Sequence, residues 1–524
     1  MSTITLKDMT YYYDNFFKNV FSNVNLNLDT DWKLGLVGRN GRGKTTLLRL
    51  LNKDLDPSKG KISMPVNTEY FPYNYKKSFT KTIDVVKENI APYHQLEEDM
   101  DTLIKKGDPK SIDTYGEILS RYEKLDGYII DSLLEKEFRL IGLKPELLNR
   151  DFKLLSGGEK NKALIVAMFL KKNHFLLIDE PTNHLDIEGR KKLSKYLATK
   201  KGYIVISHDR TFLDGCIDHV LSINKETIHI EKGNYSSWLN NKNLQDEYEL
   251  NTRKKLERQV KVLEKAANKN RRWSFDKEKE KIGCKGDKGA IGARAARLMK
   301  RVINIERRTN NMLDEKKELL KDYETVKALN INQRQLEDDI YITTKKLSFS
   351  YDNKKLIDNL NLKLYKGDRL WIKGQNGCGK TTLLKILCGE LDITGGTLEV
   401  NPEMKISRGY QDVVWKQGFL NDLLKKNKIN ENKFKYILSF FDIGEEYFKR
   451  PIETFSQGEK KKIDIARAFS SENHIFIWDE PLNFMDILFR TQLEDAILKF
   501  EPTIIFVEHD ESFGKKISNK ILDM

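Results

Sequence analysis

Four phrases occur twice in this chain, in the same order, and that duplication limits its possible folds more than any other feature. GRNGRGKTT, from Gly38 to Thr46, returns as GQNGCGKTT, from Gly374 to Thr382. LLSGGEK around Ser156 returns as TFSQGEK around Ser456, and FLLIDEPTNHLD with Asp179 and Glu180 returns as IFIWDEPLNFMD with Asp479 and Glu480. VISHD with His208 returns as FVEHD with His509. Each Gly-rich stretch follows an apolar strand-like run, LGLVG or RLWIKG, and precedes a helix-like LLRLL or LLKIL. Strand, loop and helix in that order predict two tandem α/β domains.

The loop pattern GxxxxGK[ST] is suited to polyphosphate. In Gly38, Arg39, Asn40, Gly41, Arg42, Gly43, Lys44, Thr45 and Thr46, and again in Gly374, Gln375, Asn376, Gly377, Cys378, Gly379, Lys380, Thr381 and Thr382, backbone N–H groups can wrap phosphates. Lys44 or Lys380 then neutralises the β and γ oxygens, and the hydroxyl of Thr45 or Thr381 reaches a Mg²⁺ ion. Asp179 and Asp479 end apolar runs where they can complete the Mg²⁺ shell, with Glu180 and Glu480 beside them to polarise an attacking water. His208 and His509 follow these glutamates by 28 and 29 residues, a spacing that favours a hydrogen bond to the γ-phosphate over a purely structural role.

Size and composition agree with two such domains and something further. At 524 residues the chain is long enough for two or three cores. No apolar run approaches the roughly 20 residues needed to cross a bilayer, and the N-terminus has neither a basic leader nor an apolar signal core, so a soluble cytoplasmic protein is expected. Cys216, Cys284, Cys378 and Cys388 lack CxxC spacing, which argues against disulfides and zinc.

Spacing separates the copies. Ser156 precedes Glu180 by 24 residues and Ser456 precedes Glu480 by 24, but Lys44 to Ser156 spans 112 against 76 for Lys380 to Ser456. The first copy therefore carries about 36 extra residues, expected to be helical and to lie within about 76–141. The boundaries read from this are 1–240 for the first nucleotide-binding domain, 241–339 for a linker and 340–524 for the second domain.

Positive charge is concentrated in the linker. Asn251 to Asn310 holds 20 Lys or Arg against 7 Asp or Glu, so nearly all of the chain's net charge of +14 sits there. Leu256, Val260, Leu263 and Ala267, then Ile291, Ala295, Leu298, Val302 and Ile305, repeat at helical steps on either side of a break placed at AANKNRRWSFDKEKEKIGCKGDKGAIG. Two antiparallel helices of roughly 25 to 30 residues, extending about 40 Å, are expected. Arg271, Arg272, Trp273 and Phe275, with Lys277, Lys279, Lys281, Lys285 and Lys288 beyond, combine phosphate-neutralising charge with stacking surface suited to RNA. A solvated coiled-coil spacer or a protein-docking arm, with Trp273 packed between its own helices, is the alternative.

The repeated phrases resemble those of the ATP-binding cassette ATPases, whose signature loop is the SGGE or SQGE at Ser156, Gly157 and Gly158 and at Ser456, Gln457 and Gly458. The resemblance covers both domains and implies ATP and Mg²⁺ as ligands. It also implies head-to-tail closure, with ATP on Lys44 capped by Ser456 and Gly458 and ATP on Lys380 capped by Ser156 and Gly158. Tyr13 and Tyr351 look like the aromatics that stack adenine, though either could be ordinary strand packing. Gln411 matches the family's Mg²⁺-binding glutamine, whereas Tyr73 stands in its place in the first copy. A tyrosine lacks the amide carbonyl, so the first of two hydrolytic sites is expected to work differently.

Paired cassettes, an arm insertion, a basic helical linker and no transmembrane segment together resemble the ABC-F proteins. The tip, KGDKGAIGARAARLMKR from Lys285 to Arg301, resembles their Lsa/Vga-like antibiotic-resistance branch. That likeness implies a monomer entering the ribosomal E site, contacting 23S rRNA and peptidyl-tRNA, and dislodging lincosamide, pleuromutilin or streptogramin A drugs. A housekeeping factor of the same family, or the ATPase subunit of a membrane transporter, are the alternatives.

Overall fold

The apolar runs that end in the repeated motifs become the central strands of two matching sheets. The computed structural model describes the chain apart from residues 1, 14–18, 74, 76–78, 107, 225–226, 284–287, 320–330, 332, 352–353 and 442. In the first half, strands lie side by side in the order Asn67–Phe71, His174–Asp179, Tyr203–Ile206, Lys33–Gly38 and His219–Ile223. In the second, the order is Ile406–Gly409, Ile475–Asp479, Ile504–Val507, Arg369–Lys373 and Lys520–Asp523. Every pairing within these two sets is parallel.

Parallel strands are covered on both faces and so read as unbroken apolar runs. Phe175, Leu176, Leu177 and Ile178 are accordingly buried, as are Ile475, Phe476, Ile477 and Trp478. Because the strands share one direction, the loops after Gly38, Asp179 and Ile206 meet at one edge, as do their counterparts in the second half.

An antiparallel sheet accompanies each parallel one. Thr3–Tyr11 lies between Phe21–Asp29 and Lys59–Ser63, and Ile340–Tyr351 lies between Lys354–Tyr365 and Gly395–Val400. The extra residues of the first half form a helical pair, Tyr93–Lys106 and Pro109–Lys124. Asp108 caps the second helix through the Ser111 N–H at 2.8 Å, with Pro109 at its first turn. Buried Tyr93 anchors the base, its hydroxyl donating to the Leu125 carbonyl at 2.6 Å.

The chain divides into two compact units, one of residues 1–223, 230–235 and 326–524, the other of residues 224–229 and 236–325. Both cassettes lie in the first. Buried Ile331 joins the core of the second half, and the Gln333 side chain donates to the Thr503 carbonyl at 3.1 Å and accepts from its N–H at 2.7 Å. The stretch from 326 to 339, expected in the linker, thus belongs to the unit that holds the cassettes.

The second unit departs from expectation. Its first helix runs from Tyr235 to Gly283, 49 residues without interruption, so it takes in most of the segment expected as a break, and the two helices are separated within that segment's glycine-bearing end, between Gly283 and Lys288. At 1.5 Å per residue it spans about 70 Å, well beyond the expected 40 Å. The reason is local: Ala266 to Ile282 contains no proline or glycine, and its Lys, Arg and Glu residues favour helix despite the loss of the apolar stripe. The second helix, Lys288–Leu319, returns alongside, with Arg271 paired to Glu306. Leu256, Val260, Ala267 and Val302 are buried and Leu263, Leu298 and Ile305 half-buried, while the side chains of Ile291 and Ala295 lie outside the described residues. No described helix is long and apolar enough to cross a membrane.

Candidate active site

Each Gly-rich loop is a turn that only glycine can make comfortably. Gly41 and Gly43 adopt φ of 80° and 88°, Gly377 and Gly379 of 80° and 108°, and the space above Gly41 and Gly377 is open. Lys44 folds over its own loop, its Nζ donating to the Gly38 carbonyl at 2.6 Å and the Arg39 carbonyl at 3.1 Å. Lys380 does the same with Gly374 at 2.9 Å and Gln375 at 2.7 Å. Burial lowers the Lys44 pKa, opposed by the charges of Asp486, Glu180 and Asp179.

Strand register brings the carboxylates to the loops. Thr45 donates to Asp179 Oδ2 at 2.9 Å, and Thr381 donates to Asp479. The next residues, Glu180 and Glu480, sit at φ of 51° and 48°, a left-handed conformation that turns both carboxylates off the strand ends. His208 Nε2 lies 3.3 Å from Glu180 and His509 Nε2 lies 3.3 Å from Glu480. Glu180 Oε1 is buried and meets no well-directed donor among the described residues, so the pocket fits a further polar group beside it.

The two carboxylates differ electrostatically despite matching geometry. Burial, reinforced by Asp179, pushes Glu180 up to about 8. At Glu480 the opposing effect of burial is outweighed by the hydrogen bond and charge of His509 and by Asn483, which hold it at about 2. His208 is driven well below the usual histidine range by burial and by the charges of Lys44 and Arg490.

Tyr73 does not occupy the glutamine's position in space, although the register is right. Phe71 pairs with Ile178 and Gly409 with Trp478, which sets Tyr73 opposite Glu180 as Gln411 is set opposite Glu480. Gln411 Nε2 does reach Glu480 at 3.3 Å. The Tyr73 hydroxyl instead turns away to the Leu164 carbonyl at 3.3 Å. Tyr70, which sequence reasoning passed over, donates to Asp179 Oδ2 at 3.0 Å, on the same oxygen that Thr45 uses.

Both signature loops face the opposite half. Ser156 and Ser456 form capping boxes with Glu159 and Glu459, so each loop ends in an exposed helix N-terminus. A β-carbon on Gly458 would stand 3.0 Å from Asn40 Nδ2 and 2.9 Å from the Phe484 carbonyl. Asn40 itself donates to the Phe484 carbonyl at 2.9 Å and, through its backbone, to Asp486 at 3.2 Å. On the other side Asn376 donates to the His184 carbonyl at 3.2 Å, against which Gly158 packs. One cleft is lined by Arg39, Asn40, Gly41, Ser456 and Gly458 together.

The residues therefore fit a nucleotide with a divalent ion. Among the described residues no group of three or more His, Cys, Asp or Glu could hold a metal ion by itself. The Tyr13 hydroxyl bonds Thr46 Oγ1 at 2.9 Å, leaving its ring partly exposed at the loop, and Tyr351 is half exposed against the edge of Phe349. Of the linker residues, Arg271, Arg272, Trp273, Phe275 and Lys279 are exposed. Lys285 lies outside the described residues, as do the side chains of Lys277, Lys281 and Lys288.

The profile of the ABC transporter family matches residues 21–183 and 357–483, so the chain belongs to that family and is an ATPase. Within it the chain is of the ABC-F type. It is 26% identical to the ribosome protection protein VmlR of Bacillus subtilis, over 99% of this chain and 86% of that protein. It is 28% identical to the energy-dependent translational throttle protein EttA of Escherichia coli K12, over 97% of this chain and 89% of that protein. The fold is also that of an archaeal ribosome recycling factor, aABCE1, crystallised with the stalk protein aP1, at a TM-score of 0.59 and 19% identity over 98% of this chain and 87% of that one.

Proposed function

We propose that this ABC-F ATPase acts on the ribosome from the cytoplasm, as a monomer, using two composite ATP sites to control a basic helical prong. Lys44 with Ser456 and Gly458 forms one site, and Lys380 with Ser156 and Gly158 the other. Thr45 and Asp179, and Thr381, Asp479 and Gln411, would hold Mg²⁺, which supplies charge neutralisation at the β and γ oxygens. Glu180 and Glu480 polarise the attacking water, His208 and His509 face the γ-phosphate, and Tyr13 and Tyr351 stack on adenine.

The observation that carries the ribosomal reading is the exposed face of the long helix. Trp273 is 50% and Phe275 58% exposed, with Lys269 lying 4.6 Å over the Trp273 ring and Arg271 and Arg272 beside them. An indole packed between its own helices would be buried, so this exposure disfavours the spacer reading. Exposed aromatics among cations suit unpaired bases flanked by phosphates. These residues sit about 15 Å short of the helix end, so they form a side face of the prong rather than its tip.

The finer assignment is displacement of drugs from the peptidyl-transferase centre, supported by the likeness to VmlR along nearly the whole chain. Regulation of translation without drug displacement is the second reading, supported equally by the likeness to EttA. A Glu180→Gln, Glu480→Gln double variant should cosediment with 70S ribosomes in ATP, and its recovery in the free fraction would refute ribosomal action. Growth of a sensitive bacterium expressing the chain across lincosamide, pleuromutilin and streptogramin A then separates the readings: unchanged inhibitory concentrations refute drug displacement.

A further inference from the structure

We propose that Arg210 and Glu511 are positioning residues that tie each histidine switch to the opposite cassette through ion pairs of opposite sense. The proposal rests on reading His208 and His509 as the γ-phosphate-facing groups.

Each switch is first braced within its own half. Asp209, next to His208, accepts from the Phe212 N–H at 2.9 Å and pairs with Arg190 at 3.0 Å. Arg190 in turn donates to the Leu185 carbonyl at 3.1 Å, in the turn that follows Glu180. Asp510, next to His509, accepts from the Phe513 N–H at 3.1 Å and pairs with Arg490 at 2.9 Å, and Arg490 donates to the Met485 carbonyl at 3.1 Å.

The following residue crosses over. Arg210 donates to Thr491 Oγ1 at 2.9 Å and the Ile487 carbonyl at 3.3 Å, and lies 3.2 Å from Glu494. Glu494 is wholly buried, and Lys516 at 2.8 Å is its other cation. Glu511, at the matching position of the second half, reaches Lys191 at 2.6 Å. Lys191 and Thr491 occupy the same place in their helices, five residues after the equivalent Asp186 and Asp486. The first crossing therefore carries its positive charge from the switch side, and the second its negative.

These crossings close a circuit around each site. Asn40 of the first phosphate loop grips Phe484 and Asp486, and Arg210 grips Ile487 and Thr491 immediately beyond them. The start of one helix in the second cassette thus touches both the phosphate loop and the histidine switch of the first site. Around the second site, Asn376 grips His184 and Glu511 grips Lys191. Closure of the opposite cassette is in this way transmitted to the histidine, and through it to the glutamate 3.3 Å away.

Steady-state ATP hydrolysis by the full chain carrying Glu480→Gln, in which turnover depends on Glu180, tests this, each variant being made in that background. Arg210→Met should lower kcat about tenfold with KM for ATP within twofold, and Arg210→Lys should recover at least half of the lost rate. A crossing that merely cemented the interface would instead weaken assembly of the composite site and raise KM. An unchanged kcat, or a raised KM with kcat intact, overturns the proposal. Should Arg210→Met not fold, Thr491→Val removes the 2.9 Å bond from Arg210 together with the hydroxyl's own 3.0 Å bond to the Ile487 carbonyl, and should lower kcat about threefold; no change in its kcat overturns the proposal equally. His208→Gln measured in parallel distinguishes the two readings: if it hydrolyses ATP normally, the assignment of the histidine fails, whereas a slow His208→Gln beside a normal Arg210→Met defeats the crossing alone.

Discussion

Replacing Gly458 with alanine should impair closure more than the same change at Gly158, although the two glycines are sequence equivalents. The difference lies in what the new methyl would meet. At Gly458 it stands 2.9 Å from the Phe484 carbonyl and 3.0 Å from Asn40 Nδ2, both fixed by the bond that joins the cassettes. Separating these contacts by a few tenths of an ångström sacrifices that hydrogen bond, about 1 kcal/mol, and adds up to about 1 kcal/mol of local strain. A total of about 1 to 2 kcal/mol corresponds to roughly fivefold to thirtyfold weaker ATP-driven closure. At Gly158 the nearest atom, at 2.8 Å, is the end of the Leu185 side chain, which can rotate, and the His184 carbonyl is at 3.1 Å. That cost should stay below about 1 kcal/mol, less than fivefold. The assay is energy transfer between dyes on the two cassettes, titrated with ATP in the Glu180→Gln, Glu480→Gln background. Equal shifts for the two alanine variants, or a larger one for Gly158→Ala, would refute the reasoning.

Tyr70→Phe should raise the Mg²⁺ concentration needed for half-maximal binding of a fluorescent ATP analogue about fivefold, whereas Tyr73→Phe should leave it unchanged; the reverse pattern would return Tyr73 to the metal shell. Hydrolysis remaining in Glu480→Gln, which depends on Glu180, should climb as pH rises from about 6.5 to 8.5, because a carboxyl held up to about 8 becomes a competent base only as it loses its proton. Hydrolysis remaining in Glu180→Gln should be flat over that range, since Glu480, at about 2, is already ionised. Parallel pH profiles for the two variants would contradict this.

What could be read from the sequence depended on whether a residue's effect is set by chain position or by where its side chain turns. The phosphate loops, Asp179, Glu180, His208 and their partners were legible because strand ends and loop glycines fix them through the backbone. Tyr73 stands two residues past the end of its strand, as Gln411 does, yet the direction of its ring depends on the buried Leu164 carbonyl nearby, which no spacing reveals. The same limit hid Tyr70. In the linker, glycines and alternating charges point to a break from Ala266 onward, but a two-helix prong has little core to lose, and Ala266 to Ile282 stays helical on intrinsic preference with the Arg271–Glu306 pair beside it, the helix ending only at Gly283. Arg210 escaped notice because its significance depends on Thr491 and Glu494, more than 280 residues away.

The reversed sign of the two crossings bears on which halves will accept each other. If two first cassettes met in the same way, Arg210 would confront Lys191; two second cassettes would set Glu511 against buried Glu494. Both same-with-same pairings bring like charges together, and only the unlike pairing satisfies each. The duplicated halves are thus a matched key and lock: a first cassette is suited to a second, and either is disfavoured against a second copy of itself.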